Sequence, residues 1–264
     1  MKTVTSKDGT TIAYDESGKG PAVILVDGAL QYRAFDQGMT QLADLLSGHF
    51  TVIHYDRRGR GDSTDTQPYA LEREIEDIEA IIDAAGGSAS LYGISSGGAL
   101  ALEAALKLDG RVRKLAIYEV PYNDDVAAQQ TWRDYTNQLR ELLAAGRNGD
   151  AVGLFMMLVG ATAEDVEGIK QSPMWLLWEA VAPTLAYDHI AALGEDATIP
   201  AARAASLAAP TLVMDGSGSY PFMHETAVAL ANAIPNGQHR TIEGQTHEVA
   251  AEALAPVLIE FFKT

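Results

Sequence analysis

Short apolar segments alternate with amphipathic, helix-forming segments along most of this chain, and this alternation is its strongest structural constraint. The apolar runs are largely uninterrupted and often β-branched, which is typical of strands covered on both faces. They lie at residues 22–26, 51–55, 89–94, 112–118 and 211–214. The clearest helix is expected at 71–85, where apolar residues recur at helical spacing. This alternation predicts a doubly wound, mostly parallel α/β fold that binds ligands at the carboxyl ends of its strands.

The alternation is interrupted between residues 122 and 207, where the pattern predicts helices and no strand. Helices are expected there at 132–145, 151–159 and 175–192. The alternation resumes at 211–214, followed by a helix at 224–234, a strand near 239–242 and a final helix at 248–262. We therefore expect one core, made of residues 1–121 and 208–264, with a helical insertion at residues 122–207.

Charge and cysteine content exclude several classes of function. The 264 residues carry a formal net charge of −17, which repels the phosphates of nucleic acids. The sequence has no cysteine, which excludes a thiol nucleophile, a thiolate zinc site and an iron–sulfur cluster. Residues 1–14 lack a hydrophobic signal core, and no apolar run approaches the ~20 residues that cross a bilayer. We therefore expect a cytoplasmic protein without a nucleic acid partner, membrane contact, cofactor or metal.

The most specific local signal is the run Gly93-Ile94-Ser95-Ser96-Gly97, which follows a buried strand and begins an apolar helix. A G-x-S-x-G nucleophile elbow requires this context. So tight a turn strains the backbone of its central residue, and the glycines remove Cβ atoms that would collide. The turn would display the Ser95 hydroxyl beside helix N–H groups that can stabilise an oxyanion. The alternative is a Gly/Ser-rich turn that only begins a helix; no lysine follows, which excludes a Walker loop.

With this motif the sequence resembles the α/β-hydrolase superfamily. Residues 56–63, which read Asp-Arg-Arg-Gly-Arg-Gly-Asp-Ser, are similar to that family's D-x-R-G-x-G-x-S loop. The helical insertion at 122–207 lies where the family carries its lid. The resemblance covers nearly the whole chain and implies an α/β-hydrolase fold with a helical lid. It also implies a catalytic acid, a catalytic histidine and an oxyanion-hole loop.

His247 is the best candidate for the catalytic base. A serine hydroxyl needs a base within hydrogen-bond reach, and the pKa of histidine suits neutral pH. His247 lies after the last predicted strand and before the last predicted helix, where the family carries its catalytic histidine. The other histidines lie at strands, in the insertion or at a helix start. The alternative role for His247 is to cap the final helix.

Two carboxylates compete for the role of the acid. The family usually carries an aspartate a few residues beyond the strand at 211–214, but residues 216–220 read Gly-Ser-Gly-Ser-Tyr and contain no carboxylate. Asp215 precedes this loop and lies early for that position. Glu119 lies at the carboxyl end of the strand at 112–118. Some family members draw their acid from that strand. Since the acid only orients the imidazole and stabilises its cation, a glutamate can serve, and we favour Glu119 over Asp215. The alternative for Glu119 is pairing with an arginine.

The oxyanion hole needs one N–H from the residue after the nucleophile and another from a loop that, in this chain, follows the strand at 22–26. Ser96 would supply the first, and Gly28 or Ala29 the second. Asp27 stands where the family commonly has a histidine, and a carboxylate near a developing negative charge is unfavourable unless it is paired. Asp27 would either be neutralised by an arginine or accept a hydrogen bond from a substrate hydroxyl. The arginines considered are Arg33, Arg57 and Arg58.

Three features together narrow the resemblance to one branch of the superfamily: Asp-Gly after the strand at 22–26, Gly-x-Ser-Ser-Gly at the elbow and Glu-x-Pro at the end of the strand at 112–118. They resemble the zearalenone lactonase branch of the superfamily, which implies a triad of Ser95, Glu119 and His247. The resemblance also implies a lid tryptophan facing a bulky lactone, for which Trp175 is the nearest match. Met156 lies among the apolar residues of the insertion that could line a pocket, although such residues are more often ordinary core.

The sequence therefore predicts a cofactor-free serine hydrolase that cleaves a neutral, apolar carboxylic ester or lactone. A ligand receptor that kept the fold but has negligible turnover is the alternative from another class, since fold does not fix function. Hydrolysis of a carbon–carbon bond is a third interpretation. Both a monomer and a homodimer are compatible with the sequence.

Overall fold

A computed structural model describes residues 1–263, in which eight strands form one sheet. The strands are β1 (Lys2–Thr5), β2 (Thr11–Gly18), β3 (Ala22–Val26), β4 (Thr51–Tyr55), β5 (Ala89–Ile94), β6 (Val112–Tyr118), β7 (Thr211–Gly216) and β8 (Gly237–Ile242). Their order across the sheet is β1-β2-β4-β3-β5-β6-β7-β8. β2 is antiparallel to both of its neighbours, and all other pairs are parallel. The five apolar runs that the sequence predicts as strands all begin at the predicted residue.

Helices cover both faces of this sheet. They are α1 (Gln37–Leu46), α2 (Leu71–Ala84), α3 (Ser96–Lys107), α4 (Val126–Ala144), α5 (Asn148–Leu158), α6 (Ala163–Ile169), α7 (Pro173–Val181), α8 (Ala201–Ala204), α9 (Pro221–Ala233) and α10 (Ala251–Lys263). Within residues 1–263, no helix combines the length and the apolarity that crossing a bilayer would need.

Two apolar cores enclose the sheet because successive residues of a strand point to opposite faces. On one face Ile24, Ile53 and Leu91 belong to a core shared with α2, α3 and α9. On the other face Leu25 and Val52 belong to a core shared with α1 and α10. The predicted doubly wound, mostly parallel α/β fold is therefore confirmed.

Between β6 and β7 the chain forms α4 to α8, and every residue of this segment is described. Its helices pack around an apolar core that includes Tyr135, Leu139, Val152 and Trp175. Leu30, in the loop after β3, belongs to the same core. The helical segment is therefore packed against the carboxyl end of β3, beside the predicted site.

The prediction of a single helix over 175–192 is wrong. α7 ends at Val181, a 3-10 turn occupies Ala182–Thr184, and a π-helical turn occupies Tyr187–Ala192. Pro183 has no N–H to donate to the preceding turn, so the α-helical hydrogen bonding cannot continue through it. The π-helical turn carries Asp188, whose side chain is fully buried.

Candidate active site

Ser95 occupies a sharp turn between the end of β5 and the start of α3. Its backbone has φ 56° and ψ −130°, a conformation that L-residues rarely adopt. A Cβ on Gly93 would lie 2.5 Å from the carbonyl oxygen of Gly97, and a Cβ on Gly97 would lie 2.3 Å from that of Val26. These close approaches explain why both positions are glycine. The structure thus places Ser95 at the apex of a strained strand–turn–helix, as the motif predicts.

Glu119 follows β6 with a positive φ of 45°, and its side chain is fully buried. One carboxylate oxygen, Oε2, lies 2.9 Å from Nδ1 of His247 and accepts the hydroxyl of Ser219 at 2.9 Å. The other oxygen accepts the backbone N–H of Gly216 at 2.9 Å. A carboxylate only accepts hydrogen bonds, so Nδ1 of His247 carries a hydrogen and Nε2 of the neutral ring keeps its lone pair. The structure therefore fixes His247 in the tautomer that a general base needs.

Tyr118, at the end of β6, connects the three residues of the predicted triad. Its carbonyl accepts the backbone N–H of Ser95 at 2.9 Å, and Glu119 is the next residue. Its hydroxyl donates to the carbonyl of Thr246 at 2.6 Å, which anchors the residue before His247. Within residues 1–263, no hydrogen bond engages the Ser95 hydroxyl in this conformation. Catalytic hydrogen bonds often form or shorten only when substrate is bound.

The competing carboxylate, Asp215, has different partners. It is buried at the end of β7, where one oxygen lies 3.0 Å from Nδ1 of His224 and the other lies 2.5 Å from Nε2 of His239. The structure therefore brings Glu119, and not Asp215, into contact with His247.

The residues predicted to form the oxyanion hole lie beside the elbow. A Cβ on Gly28 would lie 3.3 Å from the Cβ of Ser95 and 3.8 Å from its Oγ, and Ala29 follows Gly28 in the same loop. Ser96 is the first residue of α3, and the first N–H groups of a helix have no partner in a preceding turn. The loop after β3 and the start of α3 thus both adjoin Ser95.

Asp188, a buried carboxylate of the helical segment, connects the loop after β3 with the start of α3. Asp188 accepts hydrogen bonds from Arg57, from Arg60 and, at 2.8 Å, from the hydroxyl of Ser96. Arg60 also donates to the carbonyl of Gly28 at 2.6 Å. Burial alone would raise the pKa of Asp188, but the two guanidinium groups outweigh burial and hold the pKa below its usual range. Asp188 therefore carries a negative charge in the folded chain.

Sequence reasoning missed this network. The arginines of the loop at 56–63 are fully buried, and Arg57 and Arg58 each form a bidentate pair with a carboxylate of α2, namely Glu74 and Asp77. The available signal was the concentration of three arginines in one predicted loop, because buried guanidinium groups need carboxylate partners. The third of these arginines is Arg60.

The prediction that an arginine neutralises Asp27 is wrong. Asp27 is fully buried, and its Oδ2 lies 2.9 Å from Nε2 of His54. Arg57 reaches only its backbone carbonyl, and Arg33 and Arg58 pair with other carboxylates. Burial alone would lower the pKa of His54, but the Asp27 carboxylate outweighs burial and raises it. Asp27 therefore pairs with a histidine on β4, and its burial leaves no surface for a substrate in this conformation.

Trp175 packs inside the helical segment, in its apolar core. Only 7% of its surface is exposed, its indole lies against Gly149 and Gly153, and the ammonium of Lys170 lies 5.8 Å from its ring centre. Met156 is half-buried and packs against the same apolar core. The expectation that Trp175 faces the substrate is corrected, because neighbouring helices of its own segment cover it.

The sequence model described as the alpha/beta hydrolase family matches residues 23–233. The chain belongs to this family. An alpha/beta hydrolase of known crystal structure from Sphaerobacter thermophilus DSM 20745 is 53% identical to it, with a TM-score of 0.87 over 99% of this chain and 100% of that one. The predicted α/β-hydrolase fold is therefore confirmed.

Two curated relatives of this alpha/beta hydrolase differ in how much of the chain they match. A zearalenone hydrolase from Cladophialophora bantiana is 30% identical over 126 residues, which are 45% of this chain and 46% of the relative. The chain thus matches about half the length of that relative. A non-heme chloroperoxidase from Streptomyces lividans is 26% identical over an alignment of 280 positions that covers 100% of this chain and 100% of the relative. The predicted resemblance to the zearalenone branch is confirmed.

Proposed function

We propose that this chain is a serine hydrolase that cleaves a neutral, apolar carboxylic ester or lactone through an acyl-enzyme intermediate. The observation that carries the proposal is the convergence of Ser95, Glu119 and His247 at Tyr118. Acyl transfer by serine needs a nucleophile on a turn, an imidazole oriented by a carboxylate and N–H donors for the oxyanion. All of these groups lie at the carboxyl ends of β3, β5 and β6 and in the loop after β8.

In the proposed mechanism, Ser95 Oγ attacks the carbonyl carbon of the substrate while Nε2 of His247 takes the hydroxyl proton. Glu119 holds the opposite nitrogen and stabilises the imidazolium. The oxyanion accepts hydrogen bonds from the N–H of Ser96 and from one N–H of the loop after β3. His247 then gives its proton to the leaving alkoxide as the C–O bond breaks. Water, deprotonated by the same imidazole, attacks the acyl carbon, releases the carboxylic acid and restores Ser95.

Ser219 supports the assignment of the acid to β6. The loop after β7 contains no carboxylate where the family usually carries its aspartate, and its Ser219 hydroxyl instead donates to Glu119 at 2.9 Å. Ser219 and the N–H of Gly216 together hold both oxygens of the Glu119 carboxylate. We infer that they position Glu119 for His247, because a carboxylate with fixed oxygens keeps the imidazole in one orientation.

Charge and similarity bear on the substrate. The net charge of −17 disfavours an anionic substrate, so a neutral ester or lactone is the better fit. The match to the zearalenone hydrolase favours a lactone within that class. In this proposal the helical segment at 122–207 is the lid, and the packing of Leu30, from the loop after β3, in the apolar core of that segment supports this.

Covalent labelling tests the proposal directly. A fluorophosphonate probe should label the wild-type chain and leave Ser95→Ala unlabelled, because only an activated serine reacts at an appreciable rate. A panel of aryl esters, aliphatic esters, small lactones and macrocyclic lactones would then rank the substrate classes. An unlabelled wild type that still binds these compounds would indicate a receptor and overturn the proposed hydrolase.

A pair of matched variants tests the choice of acid. Glu119→Gln should lower kcat by about a thousandfold or more, since an amide cannot hold the imidazole tautomer or stabilise its cation. Asp215→Asn makes the same chemical change at the competing carboxylate and should lower kcat far less. The reverse ranking would assign the acid to Asp215.

A further inference from the structure

A second cluster of chemically active side chains lies near the β8 edge of the sheet, and the proposed mechanism does not use it. It consists of Asp215 at the end of β7, His239 on β8 and His224 in the first turn of α9. One ligand atom from each residue can be chosen so that all three lie within 4.8 Å of one another. We propose that this cluster binds a first-row divalent metal ion, with Zn²⁺ as the best fit. The inference does not rest on the proposed hydrolase function.

The fold builds this cluster from three separate elements. Asp215 faces Thr241 in the register of β7 and β8, and His239 lies two residues before Thr241, so it projects from the same face. α9 packs against β7 and β8, which brings His224 to the carboxylate. The Thr241 hydroxyl donates to Asp215 at 3.2 Å, the kind of outer contact that orients a metal-ligating carboxylate.

The donor set suits zinc. Two imidazole nitrogens and a carboxylate oxygen are typical ligands of an open Zn²⁺ site, with bonds of about 2.0–2.2 Å and ligand atoms about 3.3 Å apart. The Asp215 oxygens lie 3.0 Å from Nδ1 of His224 and 2.5 Å from Nε2 of His239, so modest side-chain rotations would open the cluster to an ion. The side chain of His224 is 54% exposed, which leaves access for the ion and for a water in the fourth position.

Metal binding would change which ring nitrogen of each histidine in this cluster carries the hydrogen. Both histidines approach the Asp215 carboxylate, which can only accept hydrogen bonds, so Nδ1 of His224 and Nε2 of His239 carry the hydrogens. A bound ion needs the lone pairs of these two nitrogens. Each neutral ring would therefore move its hydrogen to the opposite nitrogen, while a protonated ring would release a proton to water.

Calorimetric titration with ZnCl₂ tests the site, using full-length protein first treated with EDTA and dialysed. The wild type should bind one Zn²⁺ per chain. His224→Ala and His239→Ala should each weaken binding by at least about tenfold, because loss of even a residue that only orients a ligand costs about 10–100-fold. His49→Ala is the matched control, because His49 is an exposed histidine outside the cluster, and its affinity should equal that of the wild type. Circular dichroism would verify that each variant is folded.

Cobalt provides a second measurement that does not depend on activity. Co²⁺ bound by nitrogen and oxygen ligands absorbs visible light according to its geometry, and this absorption should be lost in the His224→Ala/His239→Ala double variant. The proposal is overturned if the wild type binds Zn²⁺ no more tightly than this double variant. It is equally overturned if His49→Ala weakens binding as much as the cluster variants, because the three residues would then only form a hydrogen-bonded group around Asp215.

Discussion

Replacing Asp188 by asparagine tests how the helical segment is joined to the candidate active site. The Asp188 carboxylate is fully buried and accepts hydrogen bonds from Arg57, Arg60 and Ser96. Asparagine keeps the shape of the side chain but removes its charge. Arg57 would still have the bidentate carboxylate of Glu74, with both contacts at 2.8 Å. Arg60 would keep only neutral hydrogen-bond acceptors, so its buried positive charge would have no negatively charged partner.

The expected loss of stability follows from that uncompensated charge. Removing one partner of a buried ion pair costs about 3–5 kcal/mol. In a domain of this size about 1 kcal/mol lowers Tm by 2–4 °C, so Asp188→Asn should lower Tm by an amount on the order of 10 °C. Arg60 also holds the carbonyl of Gly28, so the oxyanion loop should loosen. We expect kcat to fall by about tenfold, less than the hundredfold that complete loss of an oxyanion donor costs.

Thermal melting by circular dichroism and steady-state hydrolysis of an aryl ester would measure these two effects. Asp109→Asn makes the same change at an exposed position after α3 and should leave both quantities unchanged. Arg60→Gln, added to Asp188→Asn, removes the uncompensated charge and should restore part of the lost stability. A melting temperature of Asp188→Asn within about 2 °C of the wild type, which corresponds to less than ~1 kcal/mol, would refute the reasoning.

Three other perturbations have defined outcomes. Ser219→Ala removes a hydrogen bond to the Glu119 carboxylate and should lower kcat by about tenfold or more with KM unchanged, since such bonds contribute about 1.5–3 kcal/mol; steady-state kinetics with the wild-type kcat would contradict this. Gly97→Ala places a Cβ 2.3 Å from the Val26 carbonyl oxygen and should lower both Tm and the rate of fluorophosphonate labelling, so labelling at the wild-type rate would argue against the strained elbow. Burial lowers the pKa of His189 from its usual 6.5 to about 4, so between these values the unfolded chain binds a proton that the folded chain does not. The stability that His189 contributes above pH 6.5 should therefore be lost as pH falls toward 4, by up to about 1.4 kcal/mol per pH unit. Urea unfolding across this range would measure the slope, which His189→Gln should flatten; equal slopes would exclude His189 as its source.

Local patterns in the sequence predict most of the core and the elbow. The strand at 89–94 and the turn at Ser95 are predictable because apolar runs, β-branching and paired glycines act on neighbouring residues. His247 was selected by the resemblance to the α/β-hydrolase family, which carries its catalytic histidine between the last strand and the last helix. The single helix expected over 175–192 failed where Pro183 interrupts the backbone hydrogen bonds. The local pattern there gave no sign of the π-helical turn that carries Asp188.

Contacts between distant residues were decided by the tertiary structure alone. β6 and β7 end side by side, so both carboxylates lie at the same edge of the sheet. Position in the chain favoured Glu119 over Asp215, but only the folded chain brings the Glu119 carboxylate to His247. Apolar character predicted that Trp175 is covered, but not whether a ligand or its own segment covers it.

The sequence by itself determined which apolar segments become the parallel strands and where the sharp turn after β5 lies. Only the folded chain decided how charges pair in its interior. Arg60 and Asp188 are 128 residues apart, and their ion pair exists because the helical segment folds back onto the end of the sheet. Spacing along the chain does not encode such a pairing, since it depends on how complete elements pack together.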